Sequence, residues 1–244
     1  MIRRRIWVAD VAISVYAHGM NFLSHAIPYL DCPTMAVATG IPDWLSVVDR
    51  KIRARSRQAK PFIDSADPAL REIARGIIQH HEDDRWFHGT EAFVSTNLEF
   101  AIQLRDRLPG DAGFRPTFVG HILIEMLLDG IWIRSSPELA DRYYEAISEV
   151  GAETIQRCVN QLTGKATSGL VPVIERFAEI RFLYDYLEPE SMMFRLNQVM
   201  NRVGLEPLPS SLLGWLPEAE KLGESRRHQL LTGFDATFFA EKQE

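Results

Sequence analysis

Three ionisable residues stand four apart in an apolar run, His121, Glu125 and Asp129 within Phe118-Val119-Gly120-His121-Ile122-Leu123-Ile124-Glu125-Met126-Leu127-Leu128-Asp129. On a helix each step of four turns about 400°, so the three side chains fall within roughly 80° of one face. Burying three such groups is costly unless partners or a metal ion compensate them. A second cluster, His80-His81-Glu82-Asp83-Asp84-Arg85-Trp86-Phe87-His88, packs three histidines and three acids into nine residues. If helical, His80, Asp84 and His88 repeat the four-residue step. Imidazole nitrogen together with carboxylate oxygen suits zinc, iron or manganese, and magnesium less well. His25 and Asp43 also sit among apolar neighbours. A core histidine and a helix N-cap are the plain readings of those two. Taken with both clusters, they favour a divalent-metal site over a network of mutually hydrogen-bonded side chains.

The elements that must position these groups read as helices nearly throughout, with little strand alternation. Asp67-Pro68 is an N-cap followed by proline at the first helical position, and Leu70, Ile73, Ala74, Ile77 and Ile78 then form an apolar face. The run from Pro116 is apolar on nearly every side, which predicts a central, buried helix. Ser136-Pro137-Glu138 opens a helix expected to reach about Val159, and Gly164 to Gly169 is a break. Another helix follows to about Leu187, and Pro189 to Gly204 frames the next. Prolines 207, 209 and 217 make 205–223 read as an irregular wrap, with a last helix near Ser225. The expected organisation is an all-α, single compact multi-helix domain over 20–204, a dispensable extension over 1–19, and a C-terminal extension over 205–244.

Composition narrows the partners. The chain has 244 residues and a net charge of -6, which argues against nucleic-acid binding through overall charge. Its two cysteines, Cys32 and Cys158, signal neither a thiolate zinc site nor a disulfide framework. No apolar stretch reads as the ~20-residue membrane span, and a cytoplasmic location is expected. Arg3-Arg4-Arg5 before an apolar stretch has the outline of a secretory leader, but Asp10 interrupts it and no small-residue cleavage site follows. One charge run stands out: Arg50, Lys51, Arg53, Arg55, Arg57 and Lys60 place six cations in eleven residues of an acidic protein. Such a run is usually a solvated loop. Its functional reading is a docking strip for an anionic substrate or partner.

Met20-Asn21-Phe22-Leu23-Ser24-His25 resembles the opening of the acyl carrier protein phosphodiesterase family, related to the HD-type metal-dependent phosphohydrolases. Thr39-Gly40-Ile41-Pro42-Asp43 is similar to that family's Gly-x-x-x-Asp segment. Gly76-Ile77-Ile78-Gln79-His80, ending at Asp84, is similar to its Gly-Ile-x-x-His-x-x-x-Asp segment, and Glu125 with Asp129 to its later pair of acids. Order and spacing agree over about 20–130. The resemblance implies an all-helical HD-like fold and metal-assisted hydrolysis of a phosphodiester on acyl carrier protein or a related phosphopantetheine-type substrate. His80, Asp84 and Asp129 would be metal ligands with His25 beside them. Asp43 would serve as base or ligand, with His121 and Glu125 taking part in catalysis. The basic strip would dock the acidic carrier protein. Two alternatives stand beside it: another HD-like hydrolase of nucleotides or phosphomonoesters, and a non-catalytic helical protein with a buried polar network.

Overall fold

The computed structural model describes residues 22–48, 51–108 and 115–232. The extension 1–19, Met20, Asn21, Arg50 and 233–244 lie outside them. The described residues form α-helices joined by short turns and 3₁₀ segments, with no strand among them.

The first four helices are short: α1 (Phe22–Ala26), α2 (Pro33–Ala38), α3 (Ile41–Val48) and α4 (Ser56–Ala59). The long α5 (Pro68–Gly89) opens as its sequence implies, with the Asp67 carboxylate accepting the backbone N–H groups of Ala69 (3.0 Å) and Leu70 (3.3 Å). Thr90 then makes the corner into α6 (Glu91–Arg107). Its hydroxyl donates to the Phe87 carbonyl (2.8 Å) and accepts the Phe93 N–H (3.2 Å), so one residue closes one helix and opens the next.

The central helix is α7 (Arg115–Ser135), as its all-round apolar pattern predicts. By length and composition it would cross a membrane, but 89% of its most apolar stretch is buried inside the fold. It packs against α6, α8 (Pro137–Val150) and α12 (Leu216–Leu231). Between the last two run α9 (Ala152–Thr163), α10 (Leu170–Ile180) and α11 (Pro189–Val203). Two close approaches depend on glycine. A Cβ on Gly76 would sit 2.5 Å from Ala38 Cβ and 2.7 Å from the Met35 carbonyl, so only glycine lets α2 lie this tightly on α5. A Cβ on Gly120 would meet Asn97 Oδ1 at 2.6 Å, where α6 crosses α7.

Three boundaries differ from the sequence pattern. The helix expected to reach about Leu187 ends at Ile180, where Arg181 turns left-handed at a φ of 48° into a 3₁₀ segment over Phe182–Leu187. The single helix expected from Ser136 to about Val159 breaks at Gly151, whose φ of 77° divides α8 from α9. The last eight residues of the stretch expected to be irregular, 216–223, are the first half of α12, because Pro217 lies in its opening turn, where proline is at home. Nor does packing separate a C-terminal extension at 205. Leu216, Ala219, Leu230 and Leu231 belong to the same buried cluster as Phe22 and Trp44. The second half of the chain closes the core around the N-terminal helices: the Phe22 ring lies 4.9 Å from that of Phe177 and 5.7 Å from that of Trp44.

Candidate metal centre

His25, His80 and Asp84 converge although 55 residues separate the first two. α5 supplies His80 and Asp84 one turn apart, and α1 supplies His25, which is fully enclosed. α1 is too short to hold itself in place. Asp129 holds it: Oδ2 accepts the Leu23 N–H at 3.0 Å, and Oδ1 accepts the Ser24 N–H at 2.8 Å and the Ser24 hydroxyl at 2.6 Å. Asp129 was expected among the metal ligands, but it joins neither ligand group among the described residues. Two steps of four rotate it roughly 80° from His121, and its oxygens anchor the helix that carries His25.

Within this group, His25 Nε2 lies 3.3 Å from Asp84 Oδ1, and His80 Nε2 lies 3.3 Å from Asp84 Oδ2. Ligands ~2.1 Å from one tetrahedral ion stand about 3.4 Å apart, so these separations fit an ion. His25 Nε2 is buried without a hydrogen-bond partner. The other ring nitrogen, Nδ1, meets Asp83 Oδ2 at 3.2 Å, and Asp83 Oδ1 accepts Gln79 Nε2 at 2.7 Å. A histidine with one nitrogen on a supporting carboxylate and the other turned toward a second ligand, here Asp84, is arranged as metal-ligating histidines are.

His88, His121 and Glu125 form a second group one turn further along α5. Both imidazole Nε2 atoms point at Glu125 Oε1, at 3.0 Å from His88 and 3.1 Å from His121. The Phe93 ring walls it, 4.7 Å from His88 and 5.0 Å from His121. The stripe His80, Asp84, His88 therefore divides: its first two members serve one group and its third the other. Either group could hold a metal ion.

Electrostatics tie the two together. Burial opposes charge on His25, but its hydrogen bond to Asp83 and its contact with Asp84 raise it to about 10. Burial and the neighbouring His25 charge lower His80 to about 3. For Asp84 burial acts upward, yet the contact with His25 and the charges of His80 and His25 hold it at about 2. Burial raises Glu125 to about 8 against the pull of His88, and lowers His121. Asp43, on α3, is raised well above the usual carboxylate range by burial and by the Asp84 charge.

A cavity of about 520 Å³ opens beside the first group, lined by Asp43, His80, Asp84, Arg53, Arg55 and Arg202. The basic strip divides accordingly. Arg53 and Arg55 line the cavity, while Lys51, Arg57 and Lys60 are exposed elsewhere. Local spacing brings out His80 with Asp84 and His121 with Glu125. Asp83 is one acid among three in its run, and nothing in the sequence marks Arg202, which reaches the site from α11. No family model, no curated protein and no solved structure matches the chain, so the site's chemistry rests on its own residues.

Proposed function

We propose that this protein is a metal-dependent hydrolase of phosphoric esters, with a phosphodiester on acyl carrier protein or a related phosphopantetheine-type molecule as the substrate class that the sequence resemblance adds. One observation carries the reading. His25 Nε2, His80 Nε2 and an Asp84 oxygen converge at ion-binding separations, with His25 held from behind by Asp83, beside a cavity lined by guanidinium groups. Manganese, iron or zinc suits this nitrogen-and-carboxylate set better than magnesium. When bound, such an ion lowers the pKa of water and offsets charge developing on phosphoryl oxygens.

The chain's own residues would do the rest. His25, His80 and Asp84 bind the ion, and Asp83 orients His25. Asp43, whose pKa is raised by burial and by the Asp84 charge, lines the cavity and would exchange a proton with a reacting oxygen. Glu125 bridges His88 and His121 in the second group. The rival reading, a structural polar network, is favoured by the mutual contacts of His88, Glu125 and His121. It forecasts no metal uptake and no turnover. Hydrolysis of bis(p-nitrophenyl) phosphate with Mn²⁺ separates the two. Turnover that chelation abolishes and His80→Ala lowers by about 100-fold or more is expected. No turnover with any of the three metals would overturn the proposal.

A further inference from the structure

The cavity beside His25, His80 and Asp84 has a cationic wall that the metal reading does not use. Its lining brings three guanidinium groups, from Arg53, Arg55 and Arg202, against two carboxyls, from Asp43 and Asp84. Even with both carboxyls ionised the wall is left net positive, in a protein whose overall charge is -6. At about 520 Å³ the cavity is in the size range of small-molecule sites, ~300–1,000 Å³.

The wall is built, not trailing. Ile52 and Ala54 are 4% and 3% exposed and alternate with Arg53 and Arg55, so the segment lies extended with its apolar residues in the core and its arginines outward. Two side chains pin its backbone: His81 Nε2 donates to the Ala54 carbonyl at 2.7 Å, and Lys165 Nζ to the Lys51 carbonyl at 2.9 Å. Arg202 approaches from the last turn of α11, before the left-handed cap at Gly204. It is half-buried, and its charge acts on Asp43 across the site. A planar guanidinium in a recess matches two oxygens of a phosphoryl group at once, which an ammonium cannot do.

We propose that Arg202, with Arg53 beside it, is the substrate-binding site for a tetrahedral phosphoryl oxyanion, which it holds against the His25–His80–Asp84 group. What happens to that oxyanion rests on the hydrolase reading; its capture by Arg202 does not. The plainer role for Arg202 is to offset the charge of Asp43 and Asp84 and to complement the C-terminal end of α11. That role makes the arginine matter for stability and for metal content, not for anion affinity.

The test is calorimetric titration with methylphosphonate, a non-hydrolysable tetrahedral anion, into the full chain with and without Mn²⁺. Metal stoichiometry and melting temperature are measured on the same samples. Wild type should bind the anion, and Arg202→Gln should weaken that binding about tenfold while metal content and melting stay within error. Arg202→Lys, which keeps the charge but not the fork, should fall between them. Arg53→Gln should weaken binding less, because Arg53 is exposed. Arg202-dependent binding without any metal uptake would support this site while sinking the hydrolase reading. Failure of wild type to bind the anion, or a loss under twofold in Arg202→Gln, overturns the proposal. So does a loss in Arg202→Gln matched by equal losses of metal and melting temperature.

Discussion

Asp129, Glu125 and the Nδ1 of His25 each have a physical partner that explains their burial. The contacts within one helix were legible in the sequence. His80 with Asp84 and His121 with Glu125 meet because residues four apart share a face. Contacts between helices were not: no spacing rule tells that Asp129 reaches Leu23 and Ser24, or that His25 rests on Asp83. Asp129→Asn is therefore expected to cost stability more than metal. Replacing one oxygen by an amide leaves a donor of α1 unsatisfied, at about 1–3 kcal/mol. Urea unfolding should show that loss while the folded fraction keeps its metal. Equal stability with metal lost would instead make Asp129 a ligand. The pH dependence of the metal-free protein follows from the same groups. His25, raised from 6.5 to about 10, and Glu125, raised from 4.5 to about 8, hold protons in the fold that the unfolded chain would release. Their contribution is complete below the unfolded values and is lost as pH rises through the folded ones. His80, lowered from 6.5 to about 3, acts oppositely: its contribution is present above 6.5 and lost as pH falls toward 3. Between about pH 4.5 and 6.5 the Glu125 and His80 effects offset each other, so the melting temperature of chelator-treated protein should decline from about pH 6.5 to 10 and again only below about pH 4. Added metal should flatten the alkaline side, because the ion takes the place of the His25 proton. A melting temperature that climbs steadily to pH 10 would contradict these assignments.

At the scale of elements, start signals were readable because they are local chemistry. Asp67-Pro68 and Ser136-Pro137 do open α5 and α8, and Gly204 does close α11. The misreadings came from residues that punctuate in two senses. Gly151 lies inside an amphipathic run, and only the fold shows that the chain turns there. Pro217 resembles a breaker yet sits in the first turn of α12. Gly76 matters more to the site than its helical setting suggests, since it lets α2 close on α5 one turn before His80. Gly76→Val is expected to destabilise by about 3 kcal/mol or more, as overpacking against the Met35 carbonyl and Ala38 forces the helices apart. Metal affinity should fall with it, because α5 also carries His80 and Asp84 one and two turns beyond Gly76. Thermal melts paired with metal titration check both, and an unchanged melt would show that the contact yields freely.

For the whole molecule, one buried cluster from Phe22 to Leu231 means that the site and the C-terminal helices stand or fall together. The sequence suggested an all-α molecule from its periodicity, but it could not show that α12 completes the core, since that depends on which helices α6 and α7 leave uncovered. A chain ended after Gly204 should be insoluble or lack a cooperative melt, as it exposes the faces that Leu216, Ala219, Leu230 and Leu231 cover. A cooperative melt at the full-length temperature would contradict this. The central claim is that this fold builds a metal site from His25, His80 and Asp84. Elemental analysis after reconstitution with Mn²⁺, Fe²⁺ or Zn²⁺ and removal of loose ions tests it most directly, on wild type and on His25→Ala, His80→Ala and Asp84→Ala, each first shown to be folded. Wild type should retain at least about one tightly held ion, and each variant should lose one. Equal metal content in all four proteins, or none in wild type, would contradict the account.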